Sequence, residues 1–210
     1  MPRAGFTSIK DDWAKARSLN EHWVTVVRTG DRVLDLPSAL ASSAWTLAQI
    51  GETSEAMTRL QEGEQVLERH VTKGYLGIVG WTYYELGRAA LLLGRLEEAR
   101  SLGERALACS PSHPGFAAPA LHLLGDVATH PDQLDAERGL AHYREALALA
   151  EPRGMRPLVA HCHLGLGSLY RRTDKREQGR GYVVTAATMY RQMDMRYWLE
   201  QADAQTRALR

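Results

Sequence analysis

The chain has 210 residues, of which 44% are hydrophobic and 24% are charged, and its formal net charge is +1. This length and composition predict a soluble chain of one or at most two globular domains, long enough to bury a sizeable core. A net charge near zero provides no overall attraction to nucleic acid or to an acidic membrane, so we expect binding to neither.

The cysteines and the N-terminal segment bear on the cellular compartment of the protein. Both cysteines, Cys109 and Cys162, lie within apolar helical patterns, which argues against a disulfide framework and favours a reducing environment. The first residues contain no apolar run of signal-peptide length, and no segment approaches the roughly 18 uninterrupted apolar residues of a membrane span. We therefore expect a cytoplasmic protein.

The first part of the chain, 1–36, predicts one helix followed by a linker. Trp13 and Trp23 follow helical spacing within a helix expected from Ser8 to about Thr29, with Ser8 as a candidate N-cap. This helix is a candidate second helix of an incomplete first repeat.

The rest of the chain, 37–210, predicts antiparallel helix pairs. No alternation of strand period appears, so we expect almost no sheet. A small residue, which lets two helices approach closely, recurs once in each pair. These residues are Ala44, Gly87, Gly125 and Gly167. The units are expected at 37–70, 71–113, 114–152 and 155–193, and a capping helix at 195–210.

The clearest unit ends at His113. Its first helix places Tyr83, Leu86 and Gly87 on one stripe, Gly94 provides a left-handed residue that ends this helix, and Pro111 stops the second helix. This pattern resembles the tetratricopeptide repeat, with Tyr83 in the aromatic position. The resemblance implies an all-α fold, a right-handed superhelical α-solenoid of antiparallel helix pairs.

The glycines before this unit, Gly74, Gly77 and Gly80, allow two interpretations. They form either a longer loop or an early start of the next helix, and we favour a helix from about Val71. A phosphate-binding loop is not expected, because the spacing continues a helical pattern and follows no strand.

The C-terminal half has a closer resemblance. The run 141–190, and most specifically Gly154–Gly167, looks like the C-terminal tetratricopeptide region of large bacterial signalling proteins, and the segment 195–199 supports the likeness. Those proteins couple such repeats to an AAA-type ATPase and often to a class III adenylate or guanylate cyclase, or to a LuxR-type DNA-binding domain. This chain has no Walker glycine-lysine motif and no cyclase motif. The resemblance therefore implies a regulatory repeat module without its effector.

In repeats of this kind, the first helix of each pair lines a concave groove. The side chains expected there are aromatic in the first repeats and basic in the last. They are Trp45, Trp81, Tyr84, Arg88, His122, Asp126, His161, Ser168, Arg171 and Arg172. Because Trp, Tyr and Arg dominate binding hot spots, we expect a groove for a peptide with apolar anchors and a carboxylate. The alternative is that Trp81 and Tyr84 pack against a neighbouring helix and the arginines are solvated.

A metal or catalytic site is not expected. Adjacent residues of a helix point about 100° apart, so His161, Cys162 and His163 cannot converge on one metal ion. We expect His163 to pack in the aromatic position and Cys162 to be a small buried hydrophobe. The acidic residues fall at helix starts, where they complement the helix dipole, and no nucleophile stands beside a base. We therefore predict no enzyme activity and no cofactor.

The sequence thus predicts a non-enzymatic protein-protein interaction module, a scaffold or regulator, that binds a protein or peptide partner in bacterial regulation. Two alternatives stay open. One is a module that senses a small molecule near Trp81 and Tyr84. The other is a homodimer that associates through Trp13, Trp23 or Trp198 if these side chains are left uncovered.

Overall fold

The computed structural model describes residues 12–30, 33–75, 78–110 and 114–208, with the side chain of Val33 excepted. These described residues form α-helices joined by short connections and contain no strand. The helices are α1 (Trp13–Thr29), α2 (Leu36–Gln49), α3 (Thr53–Thr72), α4 (Val79–Leu92), α5 (Leu96–Ala108), α6 (Pro114–Ala128), α7 (Ala136–Ala150), α8 (Arg156–Arg172), α9 (Arg176–Gln192) and α10 (Arg196–Ala208).

The chain divides into two compact units between Ser110 and Pro111. In the first unit, α2 pairs with α3 and α4 with α5, while α1 packs on α2 and α2 packs beside α4. Small buried residues, among them Ala41, Ala44 and Ala89, allow this close packing. Helix α2 is buried around most of its circumference, as expected of a helix that contacts three neighbours.

In the second unit, α6 pairs with α7 and α8 with α9, α7 and α6 each contact α8, and α10 packs on α9. Its core is built around fully buried tyrosines, including Tyr143 and Tyr190. The ring of Tyr143 lies against the backbones of Gly125 and Gly165, where a Cβ atom would come within 2.7 Å and 2.5 Å of ring carbons. Glycine at these two positions therefore makes room for an aromatic ring.

Most of the connections turn through left-handed residues. Gly94 has φ +74°, which confirms the left-handed turn predicted there, and Gly51 also has a left-handed φ, of +82°. Gly74 has φ +81° and ends α3, which continues through Val71 to Thr72. The predicted helix from about Val71 is therefore wrong, because the left-handed Gly74 interrupts the helical pattern before the next helix begins at Val79.

Two further predicted helix ends fall outside the described residues. Ser8, the predicted N-cap, lies outside the described residues; α1 begins at Trp13, and the Asp12 side chain accepts a hydrogen bond of 3.0 Å from the Lys15 amide. Pro111 also lies outside them, and α5 ends at Ala108. No described helix is both long enough and apolar enough to cross a membrane.

Candidate functional site

The first unit presents an aromatic surface that we call the α2–α4 surface, formed by Trp45, Trp81, Tyr84 and Arg88. The guanidinium carbon of Arg88 lies 3.7 Å from the centroid of the Trp45 ring and 5.4 Å from that of Tyr84. The Trp81 and Tyr84 rings are 5.1 Å apart. Helix α4 brings its three residues together because they stand at i, i+3 and i+7.

The side chains of the α2–α4 surface differ in exposure. Trp45, Trp81 and Arg88 are partly buried, whereas Tyr84 is only 7% exposed. Tyr84 therefore packs into the helix pair, as in the alternative interpretation, and the accessible part of the surface belongs to the other three residues. Their role in binding stays a prediction.

Arg88 is held by stacking and not by an acceptor. Among the described residues, its guanidinium group forms no hydrogen bond and no ion pair. A guanidinium group stacked on an aromatic face keeps the N–H groups at its edge available, and these match the geometry of a carboxylate or phosphate. This arrangement can receive an anionic group.

A buried acid beneath this surface was missed by the sequence analysis. Glu85 is 2% exposed, and its Oε1 accepts a hydrogen bond of 2.9 Å from the Ser42 hydroxyl. Burial raises the pKa of Glu85 to about 7, although the hydrogen bond from Ser42, the positive charge of Arg88 and a hydrogen bond from Trp81 oppose this. The sequence contains one sign of this burial: Glu85 is an acidic residue inside the apolar pattern of α4, away from the start of the helix.

Polar groups continue from Glu85 along the contact between α1, α2 and α4. The Ser38 and Thr82 hydroxyls are 2.9 Å apart, and the Asn20 amide donates to the Thr46 hydroxyl at 2.8 Å and to the Ser42 carbonyl at 3.2 Å. These buried groups fix the register of the three helices, because a shifted register would leave them without partners.

The second unit brings His122, Asp126 and His161 together in what we call the α6–α8 cluster. Asp126 accepts a hydrogen bond of 2.7 Å from the Tyr143 hydroxyl, and its other oxygen lies 3.3 Å from His122 Nδ1. The His122 and His161 rings are 5.9 Å apart. On the other side, His161 Nδ1 lies 2.7 Å from the Tyr190 hydroxyl.

Three further predicted groove residues lie near the end of α8. Ser168, Arg171 and Arg172 are partly buried. Arg172 donates a hydrogen bond to the Thr129 carbonyl oxygen and so ties α8 to the end of α6. Arg171 Nε has no hydrogen-bond partner among the described residues. The expected basic region is therefore reduced to Arg171, since Arg172 is engaged within the unit.

The consecutive residues His161, Cys162 and His163 point to different neighbours. The His161 ring packs edge-on against Trp198 at 4.5 Å, Cys162 is fully buried as predicted, and the His163 ring lies 5.6 Å from Tyr182. Burial raises the pKa of the Cys162 thiol and lowers the pKa of His163. Among the described residues, no three histidine, cysteine or acidic side chains are placed to share a metal ion.

The tryptophans considered for self-association are partly buried, each against its own unit. Trp13 packs edge-on against Trp45 at 5.5 Å. Trp23 packs on the core formed by α1 and α2, and Trp198 packs on the core beneath α10. Each of these three tryptophans is therefore only partly covered by its own unit, and the homodimer stays a prediction.

The Tyr143 hydroxyl provides a test of the α6–α8 cluster. Tyr143→Phe is expected to lower the free energy of unfolding by about 1–3 kcal/mol, because the Tyr143 hydroxyl loses its hydrogen bonds with the Asp126 carboxylate and the Thr129 hydroxyl. Tyr182→Phe is the matched control: the described residues contain no hydrogen bond to the Tyr182 hydroxyl, so the loss should stay within about 0.5 kcal/mol. Urea denaturation followed by circular dichroism measures both, and equal losses would contradict the assignment.

Neither a protein-family model nor a curated protein sequence matches the chain. Solved structures are similar to it, and two of them follow. A Signal Transduction ATPase with Numerous Domains (STAND) protein with a tetratricopeptide repeat sensor, from Pyrococcus horikoshii, has a TM-score of 0.65 at 19% identity, over 97% of this chain and 31% of the other. BtubC (BKLC) from P. vanneervenii has a TM-score of 0.62 at 17% identity, over 97% of this chain and 88% of the other.

At these identities the similarity shows the fold alone, and the chain spans about a third of the length of the ATPase. The predicted all-α class, built from antiparallel helix pairs, is confirmed by the helices of both units. The predicted superhelical handedness stays a prediction. The chain therefore has the fold of a tetratricopeptide-like helical repeat.

Proposed function

We propose that this chain is a non-enzymatic, cytoplasmic interaction module that binds a peptide or domain of a partner protein on the α2–α4 surface. The observation that carries this proposal is the arrangement of Trp45 and Trp81, both partly exposed, around the stacked guanidinium group of Arg88. Large aromatic side chains and arginine contribute most of the affinity in protein interfaces, because they provide contact area with few torsions to restrict.

We extend this proposal to a regulatory role in bacterial signalling. It is supported by the resemblance of the run 141–190 to the repeat region of bacterial regulators. The similarity to a signal-transduction ATPase whose tetratricopeptide repeats form a sensor adds support at the level of the fold. In this role the chain presents a binding surface, and a separate effector supplies any catalytic activity.

The proposal is tested by affinity capture from the native lysate. The wild-type chain is compared with a Trp45→Ala, Trp81→Ala variant, which removes the accessible rings and leaves the buried Tyr84 in place. Tyr75→Ala is the matched control, because Tyr75 is an aromatic residue of the same unit, 50% exposed and outside the α2–α4 surface. Circular dichroism establishes that all three baits are folded.

We expect at least one protein to be retained by the wild type and by Tyr75→Ala and to be lost from the double variant. Recovery of the same proteins by all three baits, or of none by the wild type, would contradict a binding role for this surface.

A further inference from the structure

We propose that the α2–α4 surface receives a carboxylate of an acidic peptide segment through Arg88, and that this binding is accompanied by proton uptake at Glu85. The inference depends on the proposed function of the surface and adds the chemistry of the partner and its control by pH.

The choice of an anion follows from the charges on the two helices. Helix α2 contains no charged side chain, and α4 contains only Glu85 and Arg88. Because Glu85 is buried, Arg88 provides the one accessible charge of these two helices, and aromatic rings surround it. A single arginine among apolar rings fits a carboxylate next to an apolar side chain. Nucleic acid is disfavoured, since its phosphate backbone is normally met by several cations.

The geometry of Arg88 makes the site ready to bind. The guanidinium carbon lies over the Trp45 ring, 3.7 Å from its centroid, and no acceptor within the described residues occupies its N–H groups. Two parallel N–H groups of a guanidinium group can bind both oxygens of a carboxylate. Little side-chain entropy remains to be lost on binding, because the stacked arginine is already ordered.

Glu85 is coupled to this site by its position. It stands three residues before Arg88 on the same helix, and the positive charge of Arg88 favours its ionised form. A partner carboxylate bound to Arg88 offsets that positive charge, so the buried Glu85 then holds its proton more tightly. Binding should therefore take up a proton at pH values where free Glu85 is partly ionised.

Among the described residues, Arg88 is the one charged side chain whose field acts on Glu85. From α2, the group that faces Glu85 is the neutral Ser42 hydroxyl. Many charged side chains of α1, α3 and α5, and of the residues at their starts, pair with one another and not with Glu85, while Lys15, Arg69 and Glu104 form no ion pair within the described residues. These pairs join Glu21 with Arg59, Arg17 with Glu55, Arg28 with Glu62, Glu64 and Glu68 with Arg105, Arg95 with Glu98, and Arg100 with Glu97.

The direction of the pH dependence follows from linkage. If anion binding strengthens proton binding at Glu85, then protonation of Glu85 strengthens anion binding by the same factor. Affinity for the acidic peptide should therefore increase as the pH falls from 8 to 6, by about fivefold or more, the usual size of such coupling. The peptide carboxylates stay ionised over this range, since their own pKa is near 4.3.

The experiment uses the 210-residue chain and two synthetic peptides, acetyl-Leu-Glu-Leu-Glu-amide and its neutral counterpart acetyl-Leu-Gln-Leu-Gln-amide. Isothermal titration calorimetry at pH 6, 7 and 8, in buffers of different ionisation enthalpy, measures affinity and the number of protons taken up. Arg88→Gln, Glu85→Gln and the control Arg69→Gln are compared. The control removes the same charge from an exposed position of α3 in the same unit.

We expect the wild type and Arg69→Gln to bind the acidic peptide with proton uptake and to prefer it to the neutral peptide. Arg88→Gln should lose that preference, while Glu85→Gln should keep it without proton uptake or pH dependence. Failure of the wild type to bind the acidic peptide, equal affinity for both peptides, or binding with no proton uptake overturns the inference. A lysate protein that depends on Trp45 and Trp81 but is still retained by Arg88→Gln would overturn it too and leave the proposed function intact.

Discussion

Gly167→Ala is expected to lower the free energy of unfolding by about 1–3 kcal/mol, the usual cost of overpacking. A Cβ atom at Gly167 would lie 2.4 Å from Val183 Cγ2, 3.2 Å from the Gly179 carbonyl oxygen and 3.3 Å from the Val183 nitrogen. The last two atoms belong to the backbone of α9, so a side-chain rotation cannot relieve the crowding. Helices α8 and α9 must separate to accept even one methyl group.

Gly181→Ala is the matched control on α9. A Cβ atom at Gly181 would have no other atom within 4 Å, and the residue is exposed. Alanine is the better helix former at such a position, so this variant should be more stable than the wild type by up to about 1 kcal/mol. Urea denaturation followed by circular dichroism measures both variants. A Gly167→Ala protein as stable as Gly181→Ala would show that α8 and α9 are not packed this closely.

Glu85→Gln is expected to change the dependence of stability on pH. Burial raises the pKa of Glu85 from its ordinary value of 4.5 to about 7 in the folded chain. Between these two pH values the folded state binds more protons than the unfolded state, so the free energy of unfolding falls as the pH rises. The stabilisation is complete below pH 4.5 and is lost as the pH passes 7, about 3 kcal/mol in all.

Glutamine keeps the shape of the protonated acid and does not ionise, so the variant should lack this loss. Relative to the wild type, its free energy of unfolding should rise by about 3 kcal/mol between pH 4.5 and pH 8. Equilibrium denaturation across this pH range gives the difference. Glu97→Gln on α5, whose side chain is 70% exposed, controls for the loss of one carboxylate. The same difference between Glu85→Gln and wild type at every pH would mean that Glu85 does not titrate in this range.

The helical pairs and most of their turns could be predicted from the sequence, because both depend on local geometry. A helix places residues three and four apart on one stripe, and only glycine adopts a left-handed conformation without strain. Gly94 was predicted on this basis and is confirmed. The start of the next helix was wrongly predicted at about Val71, because α3 continues past the point where its apolar stripe weakens. The sequence alone does not show that Gly74 ends α3.

The exposure of the predicted groove residues could not be derived from helical periodicity. A helical period indicates that Trp81, Tyr84 and Arg88 share one side of α4, and the sequence determined that much. How far each side chain is covered depends on the helices that pack beside it. Tyr84 is therefore buried while its neighbour Trp81 is partly accessible.

The polar partners were decided by tertiary structure alone. Glu85 meets Ser42 from α2, and Asp126 meets Tyr143 from α7, through helix packing that joins residues distant in the chain. The sequence by itself determined a tetratricopeptide-like set of helix pairs and the side chains that each helix places on one face. Only the packed structure decided which of these side chains stay accessible and that the Glu85 carboxyl group is desolvated. Burial and hydrogen bonding depend on neighbouring helices, which local periodicity does not specify.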